Sequence, residues 1–290
     1  MINIEDYLFS YPNYFRKIIL STLLSIKVRI LFFFKINQNK VNHGLTNILI
    51  VSLTSYPSRF KTLHLTLKCL LLQDMSADKI ILWIEKKHIS LLPQNVLNLK
   101  KYGLKVRITK EEIKSYTKII PTLRNYPAAN IITVDDDLYY PNNMIRSLVL
   151  KHKSRPNHVI ANRTHLMKFN DNGNLKSYKD WGKGKFDENN LFNNFFTTGA
   201  GVLFPPDCFH GDVAKSDLFK KLAPNADDVW LNWMLYLAKY PVCISGNKFE
   251  LLEWHGTQTI SLKQTNNAKN IFNNDTQIMN MIGHYGLPKN

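Results

Sequence analysis

The run Ile131-Ile-Thr-Val-Asp135-Asp136-Asp137-Leu-Tyr-Tyr-Pro141 decides how this chain is read. Its first part, Ala129 to Val134, reads as a short strand buried on both faces, and three carboxylates follow where the strand emerges. In extended chain, residues i and i+2 point the same way, so Asp135 and Asp137 are expected to converge while Asp136 faces opposite. Two converging carboxylates repel, and a hard divalent cation relieves that repulsion. Such a cation bridges to a diphosphate and neutralises the charge that develops as the diphosphate leaves. A calcium loop beginning at Asp135 fails on register, because Tyr140 stands where Gly is needed and Arg146 where the bidentate Glu belongs. A solvated acidic turn capping the next helix is the plainer alternative.

Upstream, the pattern is that of alternating strands and helices. Asn47 to Thr54, Lys79 to Ile84 and Leu104 to Ile108 are short apolar runs of strand length. Between them, Phe60 to Gln73 carries Leu63, Leu67, Leu70 and Leu71 at helical spacing, and 93–102 and 114–125 read as helices. These are βαβ units, so the fold class is α/β with a mostly parallel central sheet flanked by helices. Ligands in such sheets bind beyond the carboxyl ends of the strands. Neither a P-loop nor a GxGxxG fingerprint occurs, and no internal repeat is visible.

Downstream, Asn157 to Arg163 reads as a strand and His165 to Tyr178 as a hairpin turning at Asp171-Asn-Gly173. The stretch from Trp181 to Phe196 mixes aromatics with amides, which suits sugar rings and equally a loop core with surface Asn. In Thr197-Thr-Gly199-Ala-Gly201 the small residues let backbone approach a ligand, or mark a bulge in a strand. Asp227 and Asp228 open a helix with Trp230, Met234 and Leu237 on one stripe, where a carboxylate is stabilised by the helix dipole and serves as a cap.

Four blocks occur in order: Thr54-Ser-Tyr-Pro-Ser-Arg59, Ser115-Tyr-Thr-Lys118-Ile-Ile-Pro121, Val134-Asp-Asp-Asp-Leu-Tyr-Tyr-Pro141 and Ala226-Asp-Asp-Val-Trp230. Together they resemble bacterial nucleotide-sugar glycosyltransferases of the GT-A type, family 2-like, with the DXD motif at 135–137. The resemblance covers roughly residues 47 to 260. It implies the GT-A (nucleotide-diphospho-sugar transferase) fold for a catalytic domain over 47–262, with a nucleotide-sugar half at 47–141 and an acceptor half at 142–262. Residues 263–290 are then a C-terminal tail. By the same resemblance, Thr54, Tyr56 and Arg59 meet the nucleotide, Lys118 reaches the diphosphate, and Asp135 and Asp136 bind the nucleotide sugar, one of them at the ribose. Asp137 holds Mn²⁺ or Mg²⁺ with Asp135, and His255 is a further ligand or diphosphate contact. Trp181 and Gly199 face the acceptor. Asp228 is the base that an inverting transferase needs, and Asp227 the cap or acceptor ligand. The implied partners are a nucleoside diphosphate sugar, UDP-sugar favoured, and a glycan or lipid-linked acceptor in surface polysaccharide synthesis. Two rival readings are a sugar nucleotidyltransferase, which usually has a glycine-rich first loop, and a non-enzymatic basic protein binding membrane or nucleic acid.

The first 46 residues read differently. Residues 15 to 36 are strongly apolar yet broken by Lys27 and Arg29, which a spanning helix would carry near mid-bilayer. Glu5 and Asp6 precede the apolar run and no small-x-small site follows it, against a cleaved signal peptide. An amphipathic helix lying in a membrane interface fits, with Asn37 to Thr46 as linker; a helix packed on protein fits too. Thirty-eight Lys+Arg against 22 Asp+Glu give a net charge of +16, which draws the chain towards an anionic partner. Charged residues are only 21% and no long basic block occurs, so an anionic membrane surface is expected and nucleic acid is not. Cys69, Cys208 and Cys243 are odd in number and far apart, which suits core thiols in a reducing compartment. The expected location is the cytoplasmic side, peripheral on the inner face of the cell membrane.

Overall fold

The computed structural model describes residues 4–36, 38–247, 250–256 and 273–287. Each apolar run expected as a strand enters one sheet: β1 (Leu49–Thr54), β2 (Lys79–Glu85), β3 (Leu104–Thr109), β4 (Asn130–Thr133) and β5 (Val159–Ala161). With β9 (Val202–Phe204) and β10 (Val242–Ile244) they form seven strands in the order β10-β5-β9-β4-β1-β2-β3. β9 runs antiparallel between β4 and β5, and the remaining pairings are parallel. The mostly parallel α/β architecture read from the sequence is therefore present. A second, small sheet sets β6 (Thr164–Leu166) between β7 (Gly182–Lys183) and β8 (Asn194–Phe196). The turn at Gly173 forms, closed by a Phe169–Leu175 bridge, but β6 pairs with β7 and β8 beyond it.

The helices are α1 (Ile4–Lys35), α2 (Phe60–Leu71), α3 (Gln94–Leu97), α4 (Ile120–Asn125), α5 (Met144–Ser154), α6 (Ser216–Leu222), α7 (Asp227–Leu237) and α8 (Asn274–Tyr285). Two of the expected helices are broken. The 93–102 stretch is α3 followed by a 3₁₀ segment, and the 114–125 stretch is a 3₁₀ segment, Lys114–Lys118, followed by α4. Pro121 explains the second break. Inside a continuous helix its ring would collide with the carbonyl of residue 117, whereas in the first turn of α4 it is tolerated. Lys118 thus sits at a bend, not along a helix flank.

Two apolar clusters carry most of the core. One joins Val28 and Phe32 of α1 to α2, β1 and α5, and includes Trp254. The other gathers α6, α7, β8 and β9 with Ile278 and Met281 of α8. Residues 263–290, expected as a tail, thus supply a packed helix; the expected boundary at 262 lies outside the described residues. A buried polar knot pins α4 to the sheet: Thr122 Oγ1 lies 2.7 Å from Ser52 Oγ and accepts from Trp83 Nε1 at 2.8 Å. That knot fixes the bend that presents Lys118.

Candidate active site

The four sequence blocks meet at the carboxyl ends of β1 and β4. β4 stops at Thr133, and the chain bends through Asp136 and Asp137 instead of continuing extended. The three carboxylates take separate partners. Asp135 accepts from Lys118 Nζ at 2.9 Å. Asp136, buried, accepts from Ser55 Oγ. Asp137, also buried, is ion-paired with Arg59. Asp135 and Asp137 are thus each paired with a cation of the protein, Lys118 and Arg59 respectively.

The β1 loop supplies the Arg59 side. Pro57 starts a 3₁₀ turn that brings Arg59 back towards the site, and Arg59 Nε donates to Tyr56 Oη at 3.1 Å. Its guanidinium also lies 5.8 Å from the Tyr56 ring centroid. Thr54 spends its hydroxyl on the Trp83 carbonyl at 3.0 Å, one strand away from the carboxylates.

Lys118 is the hub of the other side. It is 4% exposed, and its ammonium lies 2.9 Å from Asp135 and 3.0 Å from Asp227. A surface lysine spreading into solvent is therefore excluded. Burial alone would lower its pKa, but Asp135, Asp227 and Asp228 outweigh burial and hold it above the ordinary lysine range. Asp227 and Asp228 open α7, and both face Thr198. The Thr198 N–H and hydroxyl donate to Asp228 Oδ1 at 2.9 and 2.6 Å, with Asp227 Oδ2 3.2 Å from the same hydroxyl. Burial, then the charge of Asp227, pushes the Asp228 carboxyl up to about 6, with Lys118 and the Thr198 donors partly offsetting the rise. Burial likewise pushes Asp136 up to about 6, against the pull of Ser55 and Arg59.

Gly199 touches the site in a way that spacing did not reveal. A Cβ there would collide with Asp135 Oδ2, so glycine leaves the room that this carboxylate fills. Tyr140 locks the same corner: its hydroxyl donates to the Gly199 carbonyl and accepts from the Asp135 N–H at 2.9 Å. Trp181 is 4% exposed and its ring sits against Tyr178 and Phe195 at centroid distances of 5.0 and 5.1 Å, so it builds the core of the small sheet. The 252–255 segment runs beside the carboxylates, with Trp254 N–H donating to the Asp137 carbonyl at 2.9 Å. His255 follows, exposed, with its backbone N–H given to Ser21 Oγ of α1 at 2.9 Å.

Sequence reading missed Ser55, Tyr140 and Thr198 as site residues. Ser55 and Tyr140 lie inside two of the four blocks and Thr198 in the 197–201 stretch, but a hydroxyl beside an apolar strand carries no signal of its own.

The charge balance bears on the implied cofactor. Five carboxylates (Asp135, Asp136, Asp137, Asp227, Asp228) face two buried cations (Arg59, Lys118). Among the described residues no three His, Cys, Asp or Glu side chains converge as a ready metal cage. The donors present fit an ion held by one or two carboxylates and completed by substrate phosphates and water, the mode that Mg²⁺ favours.

No family model matches the chain, and no curated protein matches it. Solved structures do. Each of three matches covers 70% of this chain: 4-diphosphocytidyl-2C-methyl-D-erythritol synthase from Anaerococcus prevotii at 14% identity, 90% of that chain and TM-score 0.45; S. aureus TarS 1–349 at 15% identity and TM-score 0.47; and the same TarS fragment in complex with UDP at 14% identity and TM-score 0.45. The chain spans 59% of either TarS structure.

Proposed function

We propose that the chain is a metal-dependent glycosyltransferase that moves a sugar from a nucleoside diphosphate sugar, a UDP-sugar in the first instance, to a glycan or lipid-linked acceptor. One observation carries the reading. Lys118 bridges Asp135 and Asp227, joining the DXD segment to the acidic start of α7 across a buried cation. A donor's diphosphate and an acceptor's hydroxyl need those two kinds of group side by side.

In the proposed reaction Asp228 takes the proton of the acceptor hydroxyl, and that oxygen bonds to the anomeric carbon as the bond to the diphosphate breaks. A single displacement of this kind inverts the anomeric centre. Thr198 orients the Asp228 carboxylate, and its raised pKa suits a base working near neutrality. Arg59 and Lys118 are cations for the departing diphosphate, and Tyr56 offers a ring beside the nucleotide. A divalent ion held by Asp137 and Asp135 would neutralise diphosphate charge.

Calorimetric titration of UDP and GDP, with and without Mn²⁺, tests the donor half on wild type and Asp137→Ala. Binding of one nucleotide that requires both metal and Asp137 is expected. If neither nucleotide binds in the presence of metal, the donor-site reading is lost.

A further inference from the structure

Over residues 15–35, where its side chains are described, α1 is buried along one side only. Ser21, Val28 and Phe32 face the body, where Phe32 meets Tyr102 edge-on at 5.0 Å and lies under the Lys68 ammonium. The opposite side carries Phe15, Ile19, Leu23, Ile26, Ile30 and Phe33, which are 48 to 81% exposed. Their spacing of three and four residues gathers them into an arc of about 80°, a continuous apolar stripe. A stripe of this length left in water marks a docking face.

Charge selects what docks there. Arg29 borders one edge of the stripe and Lys27 the other, beside Arg16, which is ion-paired with Glu250 at 3.0 Å. The stretch from Phe15 to Lys35 contains no acidic residue. A second copy laid stripe to stripe would therefore set cation against cation, with no carboxylate between Phe15 and Lys35 of either helix to answer them. An anionic lipid surface complements both edges, as it does the net charge of +16. Among the described residues no helix is long and apolar enough to cross a membrane, and the seating of Val28 and Phe32 keeps α1 lying along the body.

We propose that α1 docks the protein on an anionic bilayer, with the Phe15–Phe33 stripe in the acyl boundary and Lys27 and Arg29 among the headgroups. The docked helix is tied directly to the candidate site. Ser21 accepts from the N–H of His255, and the preceding Trp254 donates to the backbone of Asp137. The inference rests on α1 alone and holds whatever the site transfers.

The test is co-sedimentation of the full chain with phosphatidylcholine vesicles, with and without phosphatidylglycerol, alongside light scattering in their absence. Wild type should bind the anionic vesicles, and salt should weaken the binding. The double substitution Ile19→Glu/Ile30→Glu, at exposed positions, should cut the partition coefficient at least tenfold without lowering the melting temperature. Lys27→Glu/Arg29→Glu should erase the preference for anionic lipid. Three results overturn the proposal: no binding by wild type, equal binding by the glutamate variants, or a dimer that the same glutamates dissociate.

Discussion

At the scale of single residues, Gly199 and Asp135 compete for one volume, since a Cβ at 199 would fall on Asp135 Oδ2. Gly199 has no left-handed backbone requirement, so Gly199→Ala acts through the carboxylate it displaces. Nucleotide binding with Mn²⁺ should weaken at least tenfold in calorimetry while the far-ultraviolet circular dichroism stays unchanged; undiminished affinity would remove Asp135 from the donor site. Asp228 makes a sharper case because chemistry and stability part there. Its carboxyl must be ionised to accept a proton, and burial lifts its pKa to about 6. A profile of kcat/KM against pH should therefore fall about tenfold per unit below about pH 6. The stability sign runs the other way. Folding raises this carboxyl from 3.8, so the charged form costs the folded state stability above about 6 and nothing below the unfolded value. Asp228→Asn should lose about 10²- to 10⁴-fold in kcat, yet melt at neutral pH no lower than wild type. A variant that loses activity and melts early together would mark Asp228 as a structural cap.

At the scale of elements, Lys118 is where a 3₁₀ turn, the end of β4 and the start of α7 are held together. Lys118→Met leaves Asp135 and Asp227 facing each other without their cation. Breaking a buried pair from one side costs about 3–5 kcal/mol, so urea unfolding should shift by about that much and metal-dependent nucleotide binding should vanish. Retained stability would mean that water replaces the ammonium. How far this junction was legible in the sequence follows from what each residue type signals. Apolar runs and their acidic ends placed Asp135 to Asp137 and Asp227 at element termini, because periodicity reports burial directly, whereas Lys118 was expected inside a helix over 114–125 and stands at its break. The partners were not legible. Asp135 and Asp137 were expected to face one site, but that Lys118 would pair with the first and Arg59 with the second carried no sequence signal. Trp181, amid Asn and Lys, resembled a sugar platform, but its ring is turned inward against Tyr178 and Phe195. Composition records that an aromatic is present and says nothing of which way it faces.

At the scale of the whole molecule, the least legible feature was α8, because the residues preceding it are polar and carry no periodic signal. α7 nonetheless demanded it. Val229, Trp230, Leu231, Trp233, Met234 and Leu235 are all buried, so α7 is apolar nearly all round and needs cover on more than one side. The sheet covers part, and α8 covers more through Ile278 and Met281. α8 also steadies the acidic end of α7 from outside: Gln277, fully buried, accepts from the Asn225 N–H at 2.9 Å, two residues before Asp227. A chain ending at residue 272 should thus lose stability and site geometry together. Each of the two buried apolar side chains is worth about 1.5–3 kcal/mol, and the exposed Trp233 surface adds an aggregation hazard. The expected outcome is a melting temperature lower by at least several degrees and a weakened acceptor-dependent rate, with metal-dependent nucleotide binding at the Arg59–Asp137 side, which α8 does not touch through Gln277, reduced far less. The comparison that checks this is Gln277→Ala in the full-length chain. It removes the bond to Asn225 while leaving Ile278 and Met281 in place, so a loss of acceptor-dependent rate without a matching loss of stability would assign α8 a positioning role at the acidic pair. A full rate in that variant would confine α8 to covering α7.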